Sequence, residues 1–449
     1  MRSFAATGMG QSITKPKAEV RVRQEGRHQS SIWGVAWNGT ALIHRVDGES
    51  RAVDWAVGSG REGKSYLLRV GDALFQSPLA WYARRGTWDL SPGYAAGKTV
   101  DFLRPVTADC LFCHAGEAAP VRGTVNRYAA KDPVPAPAIT CARCHGESVS
   151  HLRNPRRGNI VNPAALASRQ RDSVCEQCHL SGAARIPLPG KSFDGFRAGM
   201  ALEEVFSVYL PATEKGFKVV SHAEQLALSK CAIASAGKLW CGSCHDAHRE
   251  PVDSQQWFSG RCAACHAQTR PHGDDCAKCH MPRTEAHDGG HTAFTDHRIR
   301  SPGNRQIPVD AVTELRAWRE PAEEWRRRGL GLAYAGVGEM KKAGDVLRDI
   351  PEDGEVQTAL GLIHLSAGRV EMAVRVLASA AKAEPGNATR RLNLAAALLA
   401  SGWRERAKVE ALQAVALEPL LQDAYVLLAE IEPRRAAYWR ERFASLLRQ

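Results

Sequence analysis

The sequence predicts a mixed fold in three parts: a small β-rich N-terminal region over 1–104, a central domain of short helices and loops over 105–300, and a C-terminal α-solenoid of helical hairpins over 321–449, joined by a linker at 301–320. Three observations predict it. Residues 20–100 are short apolar stretches punctuated by turn residues, residues 110–280 carry one cysteine–histidine motif six times, and the tail combines helical periodicity with a 34-residue spacing of prolines. A chain of 449 residues has room for two or three domains with ordinary cores.

In the N-terminal part, SIWGVAWNGTALIHRVDGES reads as a hairpin turning at Asn38-Gly39, because both residues tolerate the left-handed backbone that a tight turn requires. KSYLLRVGDALFQSPLAWYARRGTWDL repeats the theme, with Gly71-Asp72 between two apolar stretches. Five tryptophans, Trp33, Trp37, Trp55, Trp81 and Trp88, fall here and are expected to fill the core of a small sheet.

Cysteine usage carries the chemistry. Twelve of the thirteen cysteines form six CxxC pairs, and a histidine follows every pair at once, although the chain has only 16 histidines. The motifs are CLFCH (Cys110, Cys113, His114), CARCH (Cys141, Cys144, His145), CEQCH (Cys175, Cys178, His179), CGSCH (Cys241, Cys244, His245), CAACH (Cys262, Cys265, His266) and CAKCH (Cys276, Cys279, His280). Such a segment winds as one helical turn, presents both thiols to the two vinyl groups of a haem, and sets the histidine under the iron as proximal ligand. Zinc also binds CxxC pairs, but a histidine directly after the second cysteine points away from the same metal. A disulfide framework gives no reason for that histidine. The expected cofactor is therefore haem c, six per chain, in a domain whose core is porphyrin rather than side chains. The one longer stretch without a motif runs from about 192 to 230. Cys231, the odd thiol, is expected to be a buried small apolar residue.

The sixth coordination position separates electron transfer from catalysis. Beyond the six proximal histidines and His364 in the tail, nine remain: His28, His44, His151, His222, His248, His272, His287, His291 and His297. That supply is enough to close six irons as low-spin bis-histidine haems. His248, three residues after His245, is too near to cap its own iron but can reach a neighbouring one. His151, His222, His248 and His291 are the leading distal candidates, with His272 and His297 behind them, while His28, His44 and His287 could equally be ordinary protein histidines. Methionine ligation would raise the potential; there are six methionines, and Met281 follows a proximal histidine too closely to fold back on the same iron. Spacings of 14 residues from Cys262 to Cys276 and 21 from Cys241 to Cys262 force the last three haems together, as a haem-to-haem wire needs.

The formal charge of +12 does not mark a nucleic-acid binder, because the arginines are scattered and form no stripe interleaved with stacking aromatics. Haem propionates offset that charge, and arginine's planar fork suits carboxylates. No apolar run reaches the ~18 residues that span a bilayer.

From about 321 the chain turns rich in Ala, Leu and Arg. Pro351, Pro385 and Pro419 lie 34 residues apart, and Gly-x4-Ala recurs at Gly338–Ala343, Gly368–Ala373 and Gly402–Ala407. This pattern resembles tetratricopeptide repeats. The first unit is four residues short between its Gly and Pro, which predicts a trimmed second helix.

The segments CHGESVSHL, RDSVCEQCHLSGAAR, SHAEQLALSKC, CGSCHDAH, CAKCHMP and HTAFTDHRI resemble the cytochrome c-552/c-554 type of multihaem proteins. GSGREGKSYL and SPLAWYARRGTWDLSPGY are similar to the N-terminal region of the bacterial subgroup that adds tetratricopeptide repeats, so the resemblance covers about 20–300. It implies periplasmic electron transfer through bis-histidine haems, with His222, His248 and His291 among the distal ligands. Relatives often carry histidine in the loop matching GSGREGKSY, where this chain has Arg61. The resemblance also implies a secretory leader and a further CxxCH ahead of a segment like TGMGQS, and the expectation is that both lie upstream of Met1.

Three functions remain open on the sequence. The first is an electron carrier whose repeats dock a redox partner protein. The second is an oxidoreductase of small nitrogen or sulfur compounds with one open iron; no CxxCK variant of the motif is present. The third is a repeat scaffold with a structural or sensory haem domain. A modular reading expects that deleting 313–449 leaves the haem spectra unchanged.

Overall fold

The computed structural model describes residues 2–17, 24–28, 31–94, 99–212, 216–266, 275–300, 314–350 and 353–448. Strands Ser31–Trp37 and Leu42–Val46 pair antiparallel with Trp37 opposite Leu42. The Asn38 carboxamide oxygen closes their turn by accepting from the Thr40 and Ala41 amides at 3.0 and 2.8 Å. The second expected hairpin joins Gly63–Val70 to Ala73–Gln76 with Val70 opposite Ala73. Gly71 sits in the two-residue turn at φ +60°, where a β-carbon would be strained.

Among the described residues these strands form a four-stranded and a seven-stranded sheet. Trp33, Val35, Leu42, Tyr66, Leu68, Phe75 and Trp88 fill the core they share. Trp55 is buried in an adjoining core, whereas Trp37 and Trp81 only flank the first. His44 belongs to this core: it is fully buried, its Nδ1 is 2.6 Å from Ser77 Oγ, and its ring meets Tyr66 and Trp88 edge-on. Burial pushes its pKa down to about 3, so it stays neutral.

The expected boundary at 104/105 is not a break. Arg104–Pro105 pairs with the Phe75–Gln76 edge, and Val106, Leu111, Tyr128 and Val134 pack with Ile13, Trp55, Leu67 and Leu74. The linker also differs from expectation. Residues 301–313 lie outside the described ones, but Leu315–Ala317 is a strand on Phe206–Pro211, which in turn pairs with Ala184–Pro187. The apolar alternation of FSVYLP, buried on both faces, calls for covering partners on each side.

The tail forms helical hairpins: Glu323–Gly336 with Met340–Leu347, Gly354–Ser366 with Val370–Ala383, Ala388–Ala400 with Arg404–Leu417, and Gln422–Ile431 with Ala436–Leu447. Gly338, Gly368 and Gly402 take φ of +86°, +72° and +79° at the turns, which end one helix and start the next. Ala343, Ala373 and Ala407 have no exposed surface, because the paired helices meet there. The trimmed helix is present: Met340–Leu347 has 8 residues against 14 in Val370–Ala383 and in Arg404–Leu417. Pro351 lies outside the described residues.

The repeats are not a free-standing module. Gly329 lies so close to the Tyr209 hydroxyl that a β-carbon there would sit 2.1 Å from it. Buried Arg328 donates to Pro187 O at 2.9 Å, to Asp353 Oδ2 at 2.9 Å and to Glu355 Oε2 at 2.5 Å. Farther along, Glu418 is fully buried and accepts from the Val125 and Asn126 amides at 2.9 and 3.1 Å. Arg127 donates to Leu417 O at 2.5 Å, and the Ala388 amide donates to Gly123 O at 2.9 Å. The turns between repeats thus clamp the central domain at two places.

Arg328→Leu is expected to lower stability by about 3 kcal/mol, since it strands Asp353 and the Pro187 carbonyl while Glu355 keeps some contact with water. Chemical denaturation of the holoprotein measures this. Burial raises the Asp353 carboxyl, but Arg328 and the Val356 and Glu355 amides outweigh it and hold the pKa below the usual range. Its contribution is therefore present above the unfolded carboxylate pKa of ~3.9 and is lost as pH falls through the lower folded value.

Candidate haem-binding site

Each CxxCH segment forms one helical turn. Helices Ala108–His114, Ser168–His179 and Cys276–His280 contain three motifs whole. In the other three the histidine amide donates to the carbonyl of the first cysteine: His145 to Cys141 at 2.9 Å, His245 to Cys241 at 2.9 Å and His266 to Cys262 at 3.0 Å. Three- and four-residue steps bring side chains onto one helix face, so two thiols and an imidazole share a side. Asp253 and Asp275 cap the helices of the last two motifs through the Gln256 and Lys278 amides. All thirteen cysteines are free thiols.

The imidazoles are held in a uniform way. His145 Nδ1 donates to Val161 O at 2.7 Å, His280 Nδ1 to Arg300 O at 2.9 Å, and His297 Nδ1 to Thr295 O at 2.9 Å. A proton fixed on Nδ1 leaves the Nε2 lone pair free for a metal. His145 Nε2 lies 3.4 Å from His248 Nε2, with the rings 19° from parallel. His248 Nδ1 in turn faces the Asp246 carboxylate at 3.4 Å. The two Nε2 atoms thus point at each other, the arrangement in which two imidazoles can share one metal.

A second group gathers around His222. Its ring is 5.3 Å from His179 and 4.9 Å from His297, and His297 stacks 6.2 Å from His245. Burial, with the neighbouring imidazoles adding to it, pushes His179 down to about 4 and His222 to about 2. His114, His245 and His297 are lowered by burial too. His114, His179 and His245 nevertheless present open surface to solvent. His114, His179, His222, His245 and His297 thus gather in one region, His222 lying ring to ring with His179 and His297.

The chain around the last three motifs has no side-chain core: among the described residues from 230 to 285, none is buried. Thiols of different motifs meet instead, Cys113 with Cys178, Cys175 with Cys241 and Cys262 with Cys276. Contact with Cys178, then Arg185 and Arg143, lowers the Cys113 thiol, and Cys178 is raised in exchange. Cys231 is half-buried beside Cys244 and Cys262 rather than in an apolar core. Among the described residues no three Cys, His, Asp or Glu side chains converge on one point. A bare metal ion would need such a set, whereas a porphyrin iron takes only one or two protein ligands. The gathered imidazoles, the coreless segment and the carbonyl-held Nδ1 atoms of His145, His280 and His297 all fit haem.

Other candidates lie elsewhere. His291 Nε2 is 2.7 Å from Asp89 Oδ2, and His28 Nδ1 is 3.3 Å from the other oxygen of that carboxylate. His151 Nδ1 contacts Asn159 Oδ1 at 2.7 Å, and His287 Nδ1 donates to Phe217 O at 2.9 Å. His266 is exposed, His272 lies outside the described residues, and Arg61 pairs with Glu250 at 3.1 Å. The structure therefore sets His248 beside His145 and His297 beside His245, places His222 between His179 and His297, and takes His291 to the β region.

No family model matches the chain, and no curated protein matches it. Solved structures similar to part of it include MamA. A form described as MSR-1 C2 is 24% identical over 28% of this chain and 76% of that one, at a TM-score of 0.26. MamA from Desulfovibrio magneticus RS-1, from residue 41 to its end, is 20% identical over 28% of this chain and 75% of its own, also at 0.26. Neither likeness adds to the helical hairpins described above. No helix among the described residues is long and apolar enough to cross a membrane.

Proposed function

We propose that the chain is an exported, periplasmic multihaem cytochrome of the c-552/c-554 type, relaying electrons through six covalently bound haems, with tetratricopeptide-like repeats that also offer a surface to a redox partner. The observation that carries this reading is the pair of Nε2 atoms of His145 and His248, facing each other at 3.4 Å with rings 19° from parallel and with His145 Nδ1 held by the Val161 carbonyl.

In this reading the cysteine pairs from Cys110/Cys113 to Cys276/Cys279 hold the haems, and His114, His145, His179, His245, His266 and His280 are the proximal ligands. His248 and His297 would be second ligands to the irons held by His145 and His245, and His222 to the iron held by the neighbouring His179. When bound, haem supplies reversible one-electron chemistry at iron. The protein's own part is to fix ring orientation through Val161, Thr295 and Arg300 carbonyls, to keep buried imidazoles neutral, and to bring the thiols of neighbouring motifs together. Close packing of this kind serves transfer along a row.

Low-temperature electron paramagnetic resonance with spin quantitation tests the proposal, on protein matured in a periplasm behind an added leader. Six low-spin irons per chain are expected. Absence of haem iron overturns the reading, and a high-spin fraction near one iron replaces the closed relay with an oxidoreductase.

A further inference from the structure

We propose that Arg143 and Arg185 form a cationic wall at the first motif, making the haem held by Cys110, Cys113 and His114 the strongest electron acceptor of the six. The inference rests on the haem reading above. Arg185, from strand Ala184–Pro187, stands among three buried rings, its guanidinium carbon 4.6 Å from the Phe206 centroid, 4.8 Å from Phe193 and 5.3 Å from Phe112. It donates to Cys113 Sγ at 3.4 Å and to Gln177 O at 2.9 Å. Arg143, one of the two variable residues of the second motif, lies 4.2 Å over the Phe112 ring and donates to Phe112 O at 2.8 Å.

Both cations are under-compensated. The Nε of each is buried without a hydrogen-bond partner, and among the described residues neither makes an ion pair with a carboxylate. Asp109, the acidic group that Arg185 acts on, is held toward its neutral form by burial, which Arg185 offsets only in part. The other titratable groups around them are the thiols Cys113, Cys144 and Cys178, which thioether bonding removes. Because Arg185 touches the sulfur of Cys113, it would lie beside the thioether bond that holds the haem to that cysteine.

An uncompensated positive charge disfavours the ferric state, which carries one more positive charge than the ferrous. At an effective dielectric of about 20, a unit charge about 10 Å away shifts a one-electron equilibrium by about tenfold. The reaction is a single electron entering from the redox partner and taking the iron from ferric to ferrous; no bond or proton changes place. Electrons in the relay would collect at this haem.

The test is spectroelectrochemical titration of the six-haem protein, with dithionite as final reductant. Arg185→Met places a flexible apolar chain among three phenylalanines, a replacement of a buried ion that proteins often tolerate without loss of stability. The highest-potential component is expected to fall by tenfold or more in its equilibrium, 59 mV per tenfold for one electron. Arg185→Lys, which keeps the charge, should leave that component near its original position. The proposal is overturned if all six components of Arg185→Met stay in place with six haems bound, or if Arg185→Lys falls as far as Arg185→Met. Should Arg185→Met bind fewer haems, Arg143→Gln carries the same expectation and the same contrary result. A native protein without any haem would show no redox wave, and that outcome sinks the function itself rather than the role of the two arginines.

Discussion

Produced in a compartment that attaches no haem, the chain is expected to be cut first between residues 230 and 285, while the N-terminal sheets and the later helical hairpins survive. The reason lies in burial. A segment stays folded when it removes apolar surface from water, at roughly 25 cal/mol per Å², and among the described residues of this stretch none is buried. Its helices are short: Cys241–Cys244, Ser254–Ala263 and Cys276–His280 have 4, 10 and 5 residues, below the length at which isolated helices persist in water. By contrast, the β core holds Leu42, Leu68, Phe75 and Trp88, and the repeat core holds Leu377, Leu398 and Leu428. Limited proteolysis with mass mapping should show cleavage in 230–285 at least about tenfold faster than elsewhere, with protection restored in the haem-loaded protein. Equal protection of the haem-free stretch would mean that it has a core of its own, and the cofactor reading would rest on the paired imidazoles alone.

Deleting the repeats from residue 321 onward should abolish accumulation of folded, haem-loaded protein. This reverses the expectation of independent modules. Tyr209, Leu315, Ala333, Tyr334 and Ile363 form one core across the junction, so the deletion exposes its central-domain half. The loop at 123–127 would lose Glu418, which satisfies the Val125 and Asn126 amides. Glu418→Ala isolates the second effect: two buried N–H groups left without partners cost about 2–5 kcal/mol together. A lowered denaturation midpoint checks this, and an unchanged haem spectrum in a soluble 1–320 protein would restore the modular picture.

Arginine is where reading by motif fell short. Arg143 and Arg185 sit in segments quoted for other reasons, CARCH and CHLSGAAR, and no spacing rule marks them. Only the fold brings both onto Phe112. His291 gives the opposite case: a histidine in a motif-like setting, it meets Asp89 of the β region, about two hundred positions earlier in the chain. His44, left open between roles by its sequence, proves to be enclosed by Tyr66 and Trp88.

Local chemistry was settled by the sequence. The CxxCH turns, the Gly71-Asp72 hairpin, the glycine turns of the repeats and the shortened Met340–Leu347 helix all follow from interactions within a few residues, where backbone geometry leaves few choices. Tertiary structure alone decided which imidazole meets which, which thiols touch, and where the repeats grip the central domain. Those contacts join residues 14 to nearly 300 positions apart, and they depend on packing between whole elements, which no short pattern of residues encodes.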